Sequence, residues 1–319
     1  MRAIGQRLAQ LIIVVLGVSF FSFYLLTLVP GDPVTSIVGF ASPAQHKQIA
    51  HDLHLDQPLL QRYWTWLTGF LHGDMGHQYV GPTGTTKVST VIGEHLPVSL
   101  QLMAYAMILT LLIAIPLGVF SAYKAGSRFD RITNVVAFGS ISLPDYALAL
   151  VLSYWVGVRL GWLPSQGYVH PTDNFVDSMK SLTLPAISLA VGQIAAYFRL
   201  LRSDMIATLQ EDYILMAKAK GVPTRRVLWR HALRPSSLTL LTVAGLNIGA
   251  LIGGTIVIEI IFGIPGMGQE LAYAIGQQQY VEVQSIVAII AIGFVLVNFM
   301  IDLLYTVLDP RIRDARAIA

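Results

Sequence analysis

Cysteine is absent from the 319 residues, which excludes disulfides, thiolate metal sites and a cysteine nucleophile. Charge is scarce: Asp, Glu, Lys and Arg make up 12% of the chain, against about 25% in soluble domains. No G-x-x-x-x-G-K-[ST] loop occurs, so the chain carries no phosphate cradle of its own. A nucleophile elbow, a His-Glu-x-x-His pair and a paired intramembrane aspartate motif are missing too, which argues against hydrolase chemistry. There is no internal repeat and no low-complexity tract.

What remains is apolar. Hydrophobic residues make up 54% of the chain, and the mean hydropathy is +0.62. Uncharged runs separate Arg7 from Asp32, Glu94 from Lys124, Lys180 from Arg199, Arg234 from Glu259 and Glu282 from Asp302; they contain 24, 29, 18, 24 and 19 residues. A sixth apolar run, from Ile132 to Val158, is broken only by Asp145. About 20 apolar residues cross a bilayer, so the pattern predicts six transmembrane helices. Arg2 and Arg7 ahead of the first run suggest a signal peptide, but the run exceeds the roughly 7–15 residues of a signal core and ends in no A-x-A site. It is read as a retained helix.

Placing the N-terminus in the cytoplasm puts 16 of the 21 Lys and Arg residues inside, eight of them between Arg199 and Arg234. Such asymmetry sets topology, and both ends are expected in the cytoplasm. The pI near 9.1 follows from these inside loops, and no nucleic acid partner is implied. Three parts are expected: residues 1–29 as N-terminus and first helix, 30–94 as an external cap, and 95–319 as a five-helix core with a cytoplasmic loop at 199–234. Within the cap, Ala44–Leu55 and Leu59–Leu71 read as helices. The outside segment that opens Gly263-Ile264-Pro265-Gly266-Met267-Gly268 reads as a re-entrant turn.

The cytoplasmic loop predicts two short helices broken at Gly221, with Pro223 two residues on as a stop signal. Ala217 and Gly221, four apart, leave a small-residue notch that a partner surface can approach. Arg226, Arg230 and Arg234 recur every four residues as a basic stripe, which is equally the pattern of a solvated or headgroup-facing surface.

The wording of this loop resembles the EAA loop of ABC importer permeases, E-A-A-x-x-x-G followed by I-x-L-P. Ala217, Gly221 and Leu233 match, while Leu215, Met216, His231 and Arg234 replace its Glu, Ala, Ile and Pro. Glu211, Asp212, Tyr213, Ala217, Ala219, Lys220 and Gly221, then Arg230, His231, Ala232, Leu233 and Arg234, follow the wording of the peptide/nickel branch. Other motifs of that branch occur in order: Pro30 to Pro33, His54 to Pro58, Gly73 to Gly76, Gly161 to Pro164, Glu259 to Gly268 and Asp302 to Arg313. The resemblance covers nearly the whole chain. It implies an all-α, six-span type I importer fold and localisation in the bacterial inner membrane. It also implies a homologous second permease, two ATPase subunits that use ATP and Mg, and an external substrate-binding protein. The loop, including Arg225 and Arg226, would dock on an ATPase; the chain would be no enzyme and bind no cofactor. Di- and oligopeptides are the implied cargo, with glutathione or nickel chelates as alternatives.

Four groups of residues stand out besides the loop. Asp145 follows Pro144 inside a span, where a charge is costly; it reads as a pathway carboxylate or as a helix-packing contact. Glu259 sits at a span end and reads as a turn cap or a substrate contact. Gly245, Gly249 and Gly253 repeat every four residues, a spacing for close helix packing in lipid, within the chain or at the seam with a second permease; the seam is preferred. His51 and His54, with His46 nearby, have a spacing compatible with a metal or with an ordinary polar surface. An ion-driven carrier would place several charges at mid-membrane, and only Asp145 lies clearly there.

Overall fold

The computed structural model describes residues 2–28, 32, 34–35, 43–80 and 84–308. The chain forms two compact units, Met1–Ser99 with Pro265–Leu296, and Leu100–Ile264 with Val297–Ala319.

In the first unit α1 (Arg2–Thr27), α2 (Pro43–Asp52) and α3 (Leu59–Leu71) precede a hairpin of β1 (His77–Val80) and β2 (Gly84–Lys87). The two cap helices lie where the sequence places them, within a few residues. The antiparallel hairpin, with His77 opposite Lys87 and Val80 opposite Gly84, was not legible in the glycine-rich stretch that encodes it. Tyr63 and Leu67 on one face of α3 pack with Phe23 of α1, and the Tyr63 ring meets Phe20 edge-on at 5.2 Å.

The Gly73–Gly76 motif is a turn with a structural job. Gly73 and Gly76 sit at φ +86° and +82°, and the Asp74 carboxylate accepts from the Gly76 N–H at 3.0 Å. Ser285, on α12 (Tyr280–Leu308), donates to the Met75 carbonyl at 2.9 Å. A Cβ on Gly76 would lie 2.3 Å from Val281 Cγ1. Gly76→Ala therefore combines a left-handed backbone with a clash, and we expect a loss of about 1–3 kcal/mol. Thermal unfolding in detergent measures it, and Val281→Ala in the same chain should return the clash portion. Equal stability of Gly76→Ala and the parent would refute the close approach.

The second unit holds most of α4 (Val88–Tyr123), then α5 (Arg128–Ile141) and α6 (Asp145–Leu152), which continues as a π-helical segment, Ser153–Arg159. α7 (Phe175–Leu209), α8 (Asp212–Ala219) and α9 (Thr224–Arg226) follow; a second π-helical segment, Val227–Ala232, then leads into α10 (Leu233–Phe262). α11 (Met267–Gly276), in the first unit, occupies the segment read as a re-entrant turn. α7 is the central element, packed against α5, α6 and α10.

Among the described residues three unbroken helices are long and apolar enough to cross a membrane: α4, α7 and α12. Two further candidates are bent. α5 and α6 meet at 98° at Ser142–Pro144, so the apolar run from Ile132 to Val158 is a bent pair of helices rather than one straight helix. The path through α10 bends by 53° near residue 250, in its glycine-rich stretch. The described apolar part of α1 is Ile12–Thr27.

Candidate functional site

The loop between α7 and α10 is shorter than the expected 199–234, because α7 runs on to Leu209 and α10 begins at Leu233, but its break falls at Gly221 as the sequence predicts. Glu211 opens α8 in an extended conformation, its carbonyl accepting from the Ile214 N–H at 3.0 Å. α8 ends where Gly221 turns left-handed at φ +76°. The Val222 N–H then reaches back to the Ala217 carbonyl at 3.1 Å, and the Gly221 N–H to that of Lys218 at 2.9 Å, satisfying carbonyls a helix end leaves open. Pro223 precedes α9.

One side of this loop is sunk into the protein. Ile214, Val227, Leu228 and Ala232 belong to the same buried cluster as Val119 of α4, Phe198, Leu201 and Met205 of α7, and Leu240 of α10. The Ser236 hydroxyl donates to Thr208 Oγ1 at 2.9 Å, tying the start of α10 to the end of α7. A cavity of about 240 Å³ lies between the loop and the ends of α4 and α7, lined by Tyr123, Ile206, Lys218 and Thr224 among others.

The other side is open. Tyr213, Met216, Ala217 and Lys220 fall on one face of α8 by their spacing; Tyr213 and Met216 are 45% and 58% exposed. Glu211, Asp212, Ala219, Lys220 and Gly221 are exposed as well. Burial, with the Glu211 charge beside it, pushes the Tyr213 hydroxyl above its ordinary value, so it stays neutral. Arg225, Arg226, Arg230 and Arg234 are exposed and His231 is half-buried. The segment that carries Arg230 and His231 is π-helical, where the sequence spacing assumed α-helix; its turn holds one residue more.

A charged clamp lies in the same unit. Arg202 of α7 donates from Nε to Asp130 Oδ1 at 2.5 Å and from its terminal nitrogen to Oδ2 at 2.7 Å. Ser121 Oγ, at 2.5 Å, and the Gly126 N–H, at 2.9 Å, donate to the same carboxylate, as does Asn134 Nδ2 at 2.9 Å. Ser127 caps α5 through the Asp130 N–H. Sequence reading counted Arg202 only as an inside charge. The Ser-x-x-Asp start of α5 was visible in the sequence, but nothing there selected Arg202 as the partner of Asp130.

The remaining candidates are scattered. Asp145 is exposed in the first turn of α6 after Pro144, with one carboxylate oxygen 3.4 Å from where a Gly192 Cβ would stand on α7. Gly245 faces Ile301, whose side chain would lie 2.6 Å from an added Cβ; this is a contact inside the chain. Gly253 has no atom within 4 Å of such a position, and Gly249 is partly buried on α10 between them. Glu259 is fully buried near the end of α10, where its carbonyl accepts from the Ile264 N–H at 2.9 Å. His46 pairs with Asp32 at 2.5 Å, while His51 is exposed. Among the described residues no three His, Asp or Glu side chains gather as a metal set. Of the Pro30–Pro33 motif only Asp32 is described, and Asp309–Arg313 lies outside the described residues.

The protein thus joins apolar helices long enough to cross a membrane to a helix–glycine–helix loop that is packed into their core and open on one face. Residues 114–314 match the family described as the binding-protein-dependent transport system inner membrane component. The chain belongs to this family. Residues 1–104 match the N-terminal part of the same membrane component. This inner membrane component is thus a multi-pass transport protein and not itself an enzyme. The oligopeptide transport system permease protein of Bacillus subtilis is 35% identical over 310 residues, 96% of this chain and 98% of the relative. The di/tripeptide transport system permease protein of Pseudomonas aeruginosa is 34% identical over 335 residues, 98% and 99% of the two chains. Among solved structures, a methionine ABC transporter in an inward-facing conformation matches with a TM-score of 0.54 at 16% identity, over 69% of this chain and 96% of that one. That likeness carries the fold alone.

Proposed function

We propose that this chain is one permease subunit of an ATP-driven importer for di- and oligopeptides. It would cross the inner membrane six times with both termini in the cytoplasm. Residues 30–94 would form an external cap, and 95–319 the core. A homologous second permease, two ATPase subunits using ATP and Mg, and an external binding protein would complete the machine. Lipid would surround it, and the chain would bind no nucleic acid and no cofactor of its own.

The observation that carries this reading is the shared core of loop and helices. Ile214, Val227 and Leu228 are buried with Phe198, Leu201 and Leu240, and close-packed interiors transmit displacement rather than absorb it. A pull applied at Tyr213, Met216, Ala217 and Gly221 would therefore move α7 and α10. Asp145 would serve as a pathway carboxylate. Gly253 would face the seam with the second permease, while Gly245 packs inside the chain.

Peptides are favoured by the names of the relatives, all peptide permeases among those given above. The test is a pull-down in mild detergent of the chain tagged at Ala319. Two ATPases, a sister permease and a secreted binding protein are expected, and titration of that binding protein should give tight binding of peptides. Tight binding of glutathione or a nickel chelate instead would replace the cargo. Recovery of the chain alone, with transport in liposomes without ATP, would overturn the importer in favour of an ion-driven carrier.

A further inference from the structure

The unit formed by Met1–Ser99 and Pro265–Leu296 holds a half-open cavity of about 410 Å³, inside the roughly 300–1,000 Å³ range of small-molecule sites. Phe23 of α1, Arg62 and Trp66 of α3, Tyr280 and Gln284 of α12, and His54 line it. Its polar groups are unbalanced toward donors. Arg62 forms no ion pair among the described residues and sits 5.5 Å over the Phe23 ring. Burial lowers the Arg62 pKa from its ordinary value, yet a guanidinium remains charged at any physiological pH. Gln284 is 2% exposed, and its amide nitrogen has no hydrogen-bond partner. Leaving such a group unpaired is costly, and a turn of the Gln284 side chain toward the cavity would let a ligand supply the missing bond. The Trp66 N–H already donates to Ser285 Oγ at 3.1 Å, so Trp66 offers surface rather than a donor. Asp74, the carboxylate in the lining, accepts from the Gly76 N–H. His54 holds φ +55°, a conformation that non-glycine residues adopt rarely and that clusters at functional sites.

We propose that this cavity binds the carboxylate of a short peptide, with Arg62 as its cationic partner and the Gln284 amide as a second donor. The planar guanidinium fork matches a carboxylate, and the rings of Phe23, Trp66 and Tyr280 give the adjoining apolar part a surface. The anion class rests on the cavity; the peptide rests on the importer reading above.

The test uses the complete permease–ATPase complex without its binding protein, in nanodiscs of neutral lipid, with Trp fluorescence as readout. Trialanine should bind saturably, and trialanine amide about 10- to 100-fold more weakly, as expected for loss of a charge-assisted pair. Arg62→Gln should weaken trialanine by a similar factor. Gln284→Glu, close to isosteric, should abolish binding by adding an internal carboxylate to the cavity that Arg62 lines. Equal binding of acid and amide, or Arg62→Gln and Gln284→Glu complexes that bind as the parent does, would overturn the site. Loss of trialanine binding in phosphatidylglycerol nanodiscs would assign the cavity to a lipid phosphate and overturn the peptide ligand. If the complete importer moves no peptide, the cargo reading fails on its own. Arg62-dependent binding of acetate would then support the anion site, and its absence would overturn it.

Discussion

Gly221→Trp is expected to abolish uptake and to strip the ATPase subunits from the complex, while the chain still inserts into the membrane. Gly221 lies at φ +76° with no atom within 4 Å of a Cβ position. A side chain there costs about 1–2 kcal/mol in backbone strain, but its Cβ strikes nothing in this protein. The indole would project into the open surface beside Ala217 and obstruct whatever docks there. Gly221→Ala separates the two effects, since it carries the strain without the bulk and should keep most of the ATPase association. Co-purification with the ATPases and peptide uptake in cells read the difference. Full uptake by Gly221→Trp would remove Gly221 from the docking surface.

Arg202→Leu is expected to destabilise the protein by about 3–5 kcal/mol, the usual cost of leaving one member of a buried pair uncompensated. The Asp130 side chain is 6% exposed and that of Arg202 25%, so water can do little to replace the lost guanidinium. Ser121, Gly126 and Asn134 would remain as donors to the carboxylate, which places the effect toward the lower end. Arg202→Leu with Asp130→Asn should cost less than the sum of the single changes, because the neutral amide no longer needs a cation. Thermal unfolding in detergent of the four proteins closes this cycle. Additive losses would mean that the two residues do not act as a pair.

The apolar helical character of the chain and the loop break at Gly221 were determined by the sequence alone. Charge-free runs and the clustering of basic residues report energies that act residue by residue. A charge in hydrocarbon is costly wherever the chain goes, and a left-handed turn favours glycine in any context. The motifs from Glu211 to Arg234 and from Gly73 to Gly76 were legible for the same reason: each sets local backbone geometry.

Only the tertiary structure decided what depends on residues distant in the chain. That Asp130 pairs with Arg202, 72 positions away, could not be read from either segment, because many arginines were available and only the packing of α5 on α7 selects one. Gly245 meets Ile301 by the approach of α10 to α12, whereas its four-residue spacing with Gly249 and Gly253 served an internal contact and a subunit seam equally well. The 98° bend between α5 and α6 breaks the apolar run at Pro144, which disfavours helix in the residue before it, whereas hydropathy alone reads the run as continuous. The loop between α7 and α10 shows both causes. Its helices and its hinge are local, but Ile214, Val227 and Leu228 joining the core of the spans is a tertiary event, since burial is a property of the whole packed molecule and not of the segment that is buried.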